Sequence, residues 1–104
     1  MNISVQRLAE MRQAAENHTL LDIRETDEVS TCAIGDSLHI PMNDLPGRLE
    51  SLPKEAPLVV MCHLGGRSAQ VTQWLRQNGY DNAVNLDGGI AAWAAEIDPS
   101  MARY

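Results

Sequence analysis

The sequence predicts an α/β protein built on a parallel sheet with helices on both faces. Two observations carry this. Short apolar runs, each the length of one strand, alternate along the chain with amphipathic stretches of helical spacing. The run Leu58 to Met61 is continuously apolar and is bracketed by Pro57 and glycine-rich chain, as suits a strand buried on both faces.

In chain order, Ile3 reads as a strand stub and Ser4 as an N-cap. Val5, Leu8, Met11 and Ala15 then keep helical spacing. Thr19 to Ile23 is the second strand. Arg24 to Thr31 is polar, a short helix or a loop. Gly35-Asp36 marks a turn, and Ser37 to Ile40 is a short strand stopped by Pro41. Asn43 to Leu52 holds Leu45, Leu49 and Leu52 at helical spacing, with Asp44 as its cap. After the buried strand, Ala69 to Asn78 presents Val71, Trp74 and Leu75 on one face and ends at Gly79. Ala83 to Leu86 is the last strand. Ile90, Trp93, Ala94 and Ile97 mark a final helix closed before Pro99, and Asp98 to Tyr104 is a tail. Trp74 and Trp93 lie on apolar faces and are expected in the core.

The 104 residues suffice for one domain, 1–104. No run approaches the roughly 18 apolar residues of a membrane span, and Arg7, Glu10 and Arg12 interrupt any secretory pattern. Net charge is −6 with scattered Arg and Lys, which disfavours nucleic acid as a partner. With only Cys32 and Cys62 and no need of a disulfide, a reduced cytoplasmic setting is expected. Two Cys and three His without paired spacing give no metal site, and no cofactor is implied.

The chemistry concentrates at Cys62-His63-Leu64-Gly65-Gly66-Arg67-Ser68. In an open parallel sheet ligands bind beyond the carboxyl ends of the strands, where Cys62 falls. Gly65 and Gly66 free the backbone to curl around the sulfur. The loop N–H groups and those of the following helix then form an anion site that lowers the thiol pKa. Arg67 is expected to bring a permanent charge to the same cup. Ser68 reads first as an N-cap, with a hydroxyl donated to the sulfur as a second role. His63 is expected at the rim as a substrate contact rather than a base, because adjacent residues on a tight loop point apart. Cys32 is expected to pack rather than to resolve Cys62, and His39 to be structural. Asp22 and Arg24, at a strand end near the same edge, read as an ion pair holding the loop.

Cys-x-x-Gly-x-Arg-Ser after a buried strand resembles the active-site loop of rhodanese domains, which are sulfurtransferases. Leu21-Asp22-Ile23-Arg24-Glu25, Leu38-His39-Ile40-Pro41, and Leu86-Asp87-Gly88-Gly89-Ile90 followed by Trp93 are similar to three further segments of that family, in order, over nearly the whole chain. The resemblance implies a three-layer α/β/α sandwich on a five-stranded, mostly parallel sheet. It implies sulfur transfer from a small anionic donor such as thiosulfate, through a Cys62 persulfide. Glu28-Val29, Cys32 and the stretch Ala94 to Ser100 ending in Tyr104 resemble rhodanese domains fused to adenylating enzymes. That implies a protein sulfur donor or acceptor, with an adenylating partner in trans. Two other classes stay open: a persulfide carrier that docks to a protein, and a thiolate phosphatase or arsenate reductase. Phosphatase loops of the Cys-x5-Arg type are one residue longer, whereas four residues separate Cys62 from Arg67 here. The smaller cup suits a single added sulfur.

Overall fold

A computed structural model describes all 104 residues. Five strands form one parallel sheet: β1 (Asn2–Ile3), β2 (Thr19–Asp22), β3 (Leu38–His39), β4 (Leu58–Met61) and β5 (Ala83–Leu86). Their spatial order is β1-β5-β4-β2-β3. The central pairing sets Thr19 opposite Leu58 and Asp22 opposite Met61. The strand ends that carry Asp22 and Cys62 therefore lie side by side.

Side chains alternate across a strand, and β4 shows the result. Leu58, Val60 and Cys62 face one apolar layer together with Leu21, Ile23, Val71 and Leu75. Val59 and Met61 face the other, with Val5, Leu8, Leu20, Ile90 and Trp93. Helix α4 (Gly66–Gln77) covers the first face; α1 (Val5–Gln13) and α5 (Gly89–Glu96) cover the second. Cys62 thus continues the parity of β4 onto the α4 side. No helix is long and apolar enough to cross a membrane.

Local signals act largely as expected. The Ser4 side chain accepts from Arg7 N–H at 3.0 Å and caps α1. The polar stretch after Arg24 forms α2 (Thr26–Thr31), held by a capping box between Glu25 and Glu28. Two readings need correction. The single helix over 43–52 is broken into a 3₁₀ turn (Met42–Asp44), α3 (Leu45–Arg48) and a second 3₁₀ turn (Leu49–Ser51), and Asp44 makes no capping bond. Pro46 is tolerated only in a first helical turn and Gly47 is a weak helix former, so the stretch cannot run straight. Helix α4 also starts three residues early, at Gly66, with Gly65 as N-cap at φ +103°. Ser68 therefore lies inside the first turn and caps nothing. Trp93 is buried, whereas Trp74 is half-buried beside Met42, Leu45 and Pro46.

Helix α5 braces the cysteine loop from behind. Ile90 N–H donates to the Cys62 carbonyl and Ala91 N–H to the His63 carbonyl, each at 3.0 Å. The approach is possible because Gly89, at φ +62°, has no side chain: a Cβ there would stand 2.5 Å from His63 O.

Candidate active site

Cys62 ends β4 with its sulfur turned toward the start of α4. Gly65 N–H donates to Sγ at 3.1 Å and Ser68 N–H at 3.4 Å, while the Ser68 hydroxyl lies 3.2 Å away. The left-handed turn at Gly65 and the first turn of α4 aim these groups at one point. A helix N-terminus adds its own positive end. Burial works to raise the thiol pKa. The Ser68 contacts and the Gly65 and Leu64 N–H groups outweigh it, and the net shift is downward. Cys62 as a whole residue is nonetheless only 1% exposed. The expectation of a reachable sulfur is met in its ring of donors but not in its access.

The other loop residues take distinct positions. Leu64 projects into solvent, 68% exposed. Gly66 opens the helix in ordinary geometry; only Gly65 uses the left-handed region. Arg67 is the main departure from expectation. Its guanidinium does not stand free over the cup but grips the Glu28 carboxylate, Nη1 to Oε1 and Nη2 to Oε2, both at 2.8 Å. Glu28 in turn accepts from the Tyr104 hydroxyl at 2.7 Å. The Arg67 bonds, chief among these influences, pull the Glu28 carboxyl down to about 2. A cation at a helix N-terminus opposes the helix dipole, so a compensating carboxylate has a physical reason to be there.

Asp22 and Arg24 form the expected ion pair. Both are buried, with Nε and Nη2 of Arg24 on the two carboxylate oxygens at 2.9 and 2.7 Å. Arg24 also donates to the Cys32 carbonyl at 2.8 Å and to the Tyr104 hydroxyl at 3.1 Å. The Tyr104 hydroxyl accepts from Arg24 and donates to Glu28, so the arginine that follows β2 is tied through one phenol to the carboxylate that holds the arginine of α4. Burial, the largest influence, pushes that phenol up to about 12.

His63 is not open at the rim: its ring stacks on Tyr104 at 4.0 Å between centroids. His39 is structural as expected, its Nε2 2.7 Å from the Arg24 carbonyl oxygen. Cys32 is half-buried and packs against the α1/α5 layer, with its sulfur 3.9 Å from Arg24 Nη1. It borders a cleft of ≈110 Å³ shared with His63 and Tyr104.

Three residues join the site that the sequence assigned no role in it. Glu28 and Tyr104 entered only as points of resemblance. Asn85 of β5 accepts from the Ser68 hydroxyl at 2.5 Å. It did leave a signal, a buried asparagine inside a strand, where that residue type is depleted. Tyr104, in an irregular tail, left none.

Comparison with known proteins agrees with this geometry. The rhodanese-like domain family matches residues 4–96. A sulfurtransferase of Allochromatium vinosum is 40% identical over 97 residues, covering 93% of this chain and 87% of that protein. The Arabidopsis thaliana adenylyltransferase and sulfurtransferase MOCS3 is 31% identical and spans 98% of this chain, but this match covers 25% of MOCS3. The crystal structure of SSP1007 from Staphylococcus saprophyticus superposes with a TM-score of 0.84 at 36% identity, covering 92% of this chain and 95% of that one.

Proposed function

Because the chain belongs to the rhodanese-like domain family, we propose that it is a sulfurtransferase in which Cys62 carries the sulfur as a persulfide. The observation that carries this reading is the convergence of Gly65 N–H, Ser68 N–H and the Ser68 hydroxyl on one sulfur. Such a ring favours a thiolate, and then the terminal sulfur anion of a persulfide, over a neutral thiol.

The reaction is a double displacement. The Cys62 thiolate attacks the outer sulfur of a donor such as thiosulfate. The donor S–S bond breaks and its electron pair leaves with sulfite. Cys62 now bears the extra sulfur. An acceptor thiolate attacks that outer atom, a new S–S bond forms, and the Cys62 sulfur departs with the electrons of the old one. A covalent intermediate of this kind gives ping-pong kinetics. Arg67 supports anionic donors when its fork is released from Glu28. Asp22, Arg24 and the stacked His63 hold the surrounding loops.

One observation favours a second reading. With the Arg67 fork filled by Glu28, a small dianion meets a balanced pair rather than a free cation. A persulfide delivered by a protein needs no such cation. On that reading the chain is a carrier that passes sulfur between proteins, and its similarity to MOCS3 points the same way.

Intact-mass analysis after thiosulfate treatment tests the first reading. A gain of one sulfur is expected, absent in Cys62→Ser. Arg67→Ala weakens the use of thiosulfate. Sulfur transfer retained by Cys62→Ser overturns the persulfide. Loading by a cysteine desulfurase together with negligible thiosulfate turnover selects the carrier reading.

A further inference from the structure

Ser68 has one hydroxyl proton and two buried neighbours that compete for it. Its Oγ lies 3.2 Å from the Cys62 sulfur and 2.5 Å from Asn85 Oδ1. A hydroxyl donates to one partner at a time. The nearer partner is a carbonyl oxygen, which can only accept.

The far side of Asn85 fixes which way its amide points. Nδ2 donates to Asn2 Oδ1 at 3.0 Å and lies 3.5 Å from the Gly65 carbonyl oxygen. The Gly65 carbonyl can only accept, so the nitrogen belongs on that side, Asn2 turns its Oδ1 toward it, and the oxygen faces Ser68. With Cys62 as a thiol the chain of donors closes. The S–H donates to Ser68 Oγ, the hydroxyl to Asn85 Oδ1, and the amide to Asn2. With Cys62 ionised the sulfur accepts from the Gly65 and Ser68 N–H groups and gains a third donor if the Ser68 hydroxyl turns to it. To give that third bond the Ser68 proton leaves Asn85 Oδ1, and a buried acceptor loses its partner.

We propose that Asn85 is a positioning residue for Cys62, acting through Ser68. It holds the hydroxyl beside the sulfur and competes with the thiolate for its proton, so it restrains the acidity of the cysteine. The loop N–H groups favour the anion; Asn85 opposes them. Restraint has a use, because a thiolate loses nucleophilicity as its pKa falls and attacks best with a pKa near the ambient pH. The charged and titratable groups around the sulfur are separate from this device. Arg67 on α4 is balanced by Glu28 on α2. Asp22 on β2 is held by Arg24. Tyr104 bonds to Arg24 and Glu28, and His63 stacks on Tyr104. None of them hydrogen-bonds Asn85 or Ser68.

The inference rests on reading Cys62 as the reacting sulfur, but its test reads acidity and needs no turnover. Thiolate absorbance near 240 nm is titrated in the full chain and in Asn85→Leu and Asn85→Ala, each corrected with its Cys62→Ser counterpart. Removing the acceptor leaves the Ser68 proton on the sulfur. At a pH below the midpoint the thiolate fraction is expected to rise about three- to tenfold, the worth of one hydrogen bond. The rise is expected to vanish when Ser68 is also changed to alanine. Asn85→Asp keeps an acceptor beside Ser68, strengthens it with a negative charge and gives up the amide donor to Asn2, and is expected to lower the thiolate fraction. Thermal melts identify the variants that fold. An unchanged or lower thiolate fraction in a folded Asn85→Ala or Asn85→Leu chain overturns the proposal. So does a rise that persists without the Ser68 hydroxyl, or a rise in Asn85→Asp. A sulfurtransferase reading that failed while these shifts held would leave Asn85 in its role.

Discussion

Arg67 and Glu28 face each other fork to fork, two parallel hydrogen bonds of 2.8 Å joining the start of α4 to α2. This geometry gives charge-assisted pairs their strength, and here it occupies the cation nearest the cysteine loop. In Glu28→Gln the charge balance is lost while the side-chain shape is kept. The KM for thiosulfate is expected to fall severalfold with kcat little changed, as steady-state kinetics at constant ionic strength will show. An unchanged KM would mean that the Arg67 charge does not govern donor binding.

The same pair sets an acid limit. Glu28 titrates near 2 in the folded chain, below its ordinary 4.5. A carboxyl with a depressed folded pKa binds more protons unfolded than folded, so its stabilisation is present above about pH 4.5 and is lost as pH falls toward 2. Melting temperatures between pH 6 and 3 are expected to drop less steeply for Glu28→Gln than for the native chain. Parallel curves would contradict the assignment.

Asp22 and Arg24 are 1% and 0% exposed. Asp22→Asn leaves a buried guanidinium without its counter-charge. Breaking such a pair from one side costs about 3–5 kcal/mol, and denaturant unfolding is expected to show a loss of that order. A loss below about 1 kcal/mol would mean that the Arg24 bonds to Tyr104 and Cys32 suffice to hold it.

Gly89→Ala puts a methyl group 2.5 Å from the His63 carbonyl oxygen at a left-handed φ. Positive φ alone costs alanine about 1–2 kcal/mol, and the clash lies with backbone. Destabilisation beyond 2 kcal/mol is expected, together with a raised Cys62 pKa as the loop shifts. Substituted chains that melt like the native protein would show that α5 does not brace the loop.

Much of this was legible in the sequence. Strand β4 matches the continuous apolar run 58–61, because a strand buried on both faces needs apolar chain throughout, and β5 matches 83–86, which is apolar but for Asn85. Cys62, Gly65 and Ser68 were legible as one site because a single tight turn brings them together. The start of α4 is hidden in the sequence because two glycines look like loop, whereas Gly66 takes ordinary helical geometry and only Gly65 needs its freedom. The pairing of Arg67 is not legible in its own loop, because its partner Glu28 comes from another helix. Glu28, Asn85 and Tyr104 reach the site through tertiary contacts, which leave no periodicity or spacing in the chain.

The burial of Cys62 carries a kinetic consequence. If Cys62 transfers sulfur as proposed, a residue that is only 1% exposed reacts only when the loop around it opens, so the breathing of the Gly65 turn would cap the turnover rate. The same cover would shelter a transferred sulfur from stray thiols and water between encounters. Solvent viscosity should then slow delivery more than it slows a model exchange between small disulfides, and a partner that opens the loop would draw sulfur faster than any small reductant of equal strength.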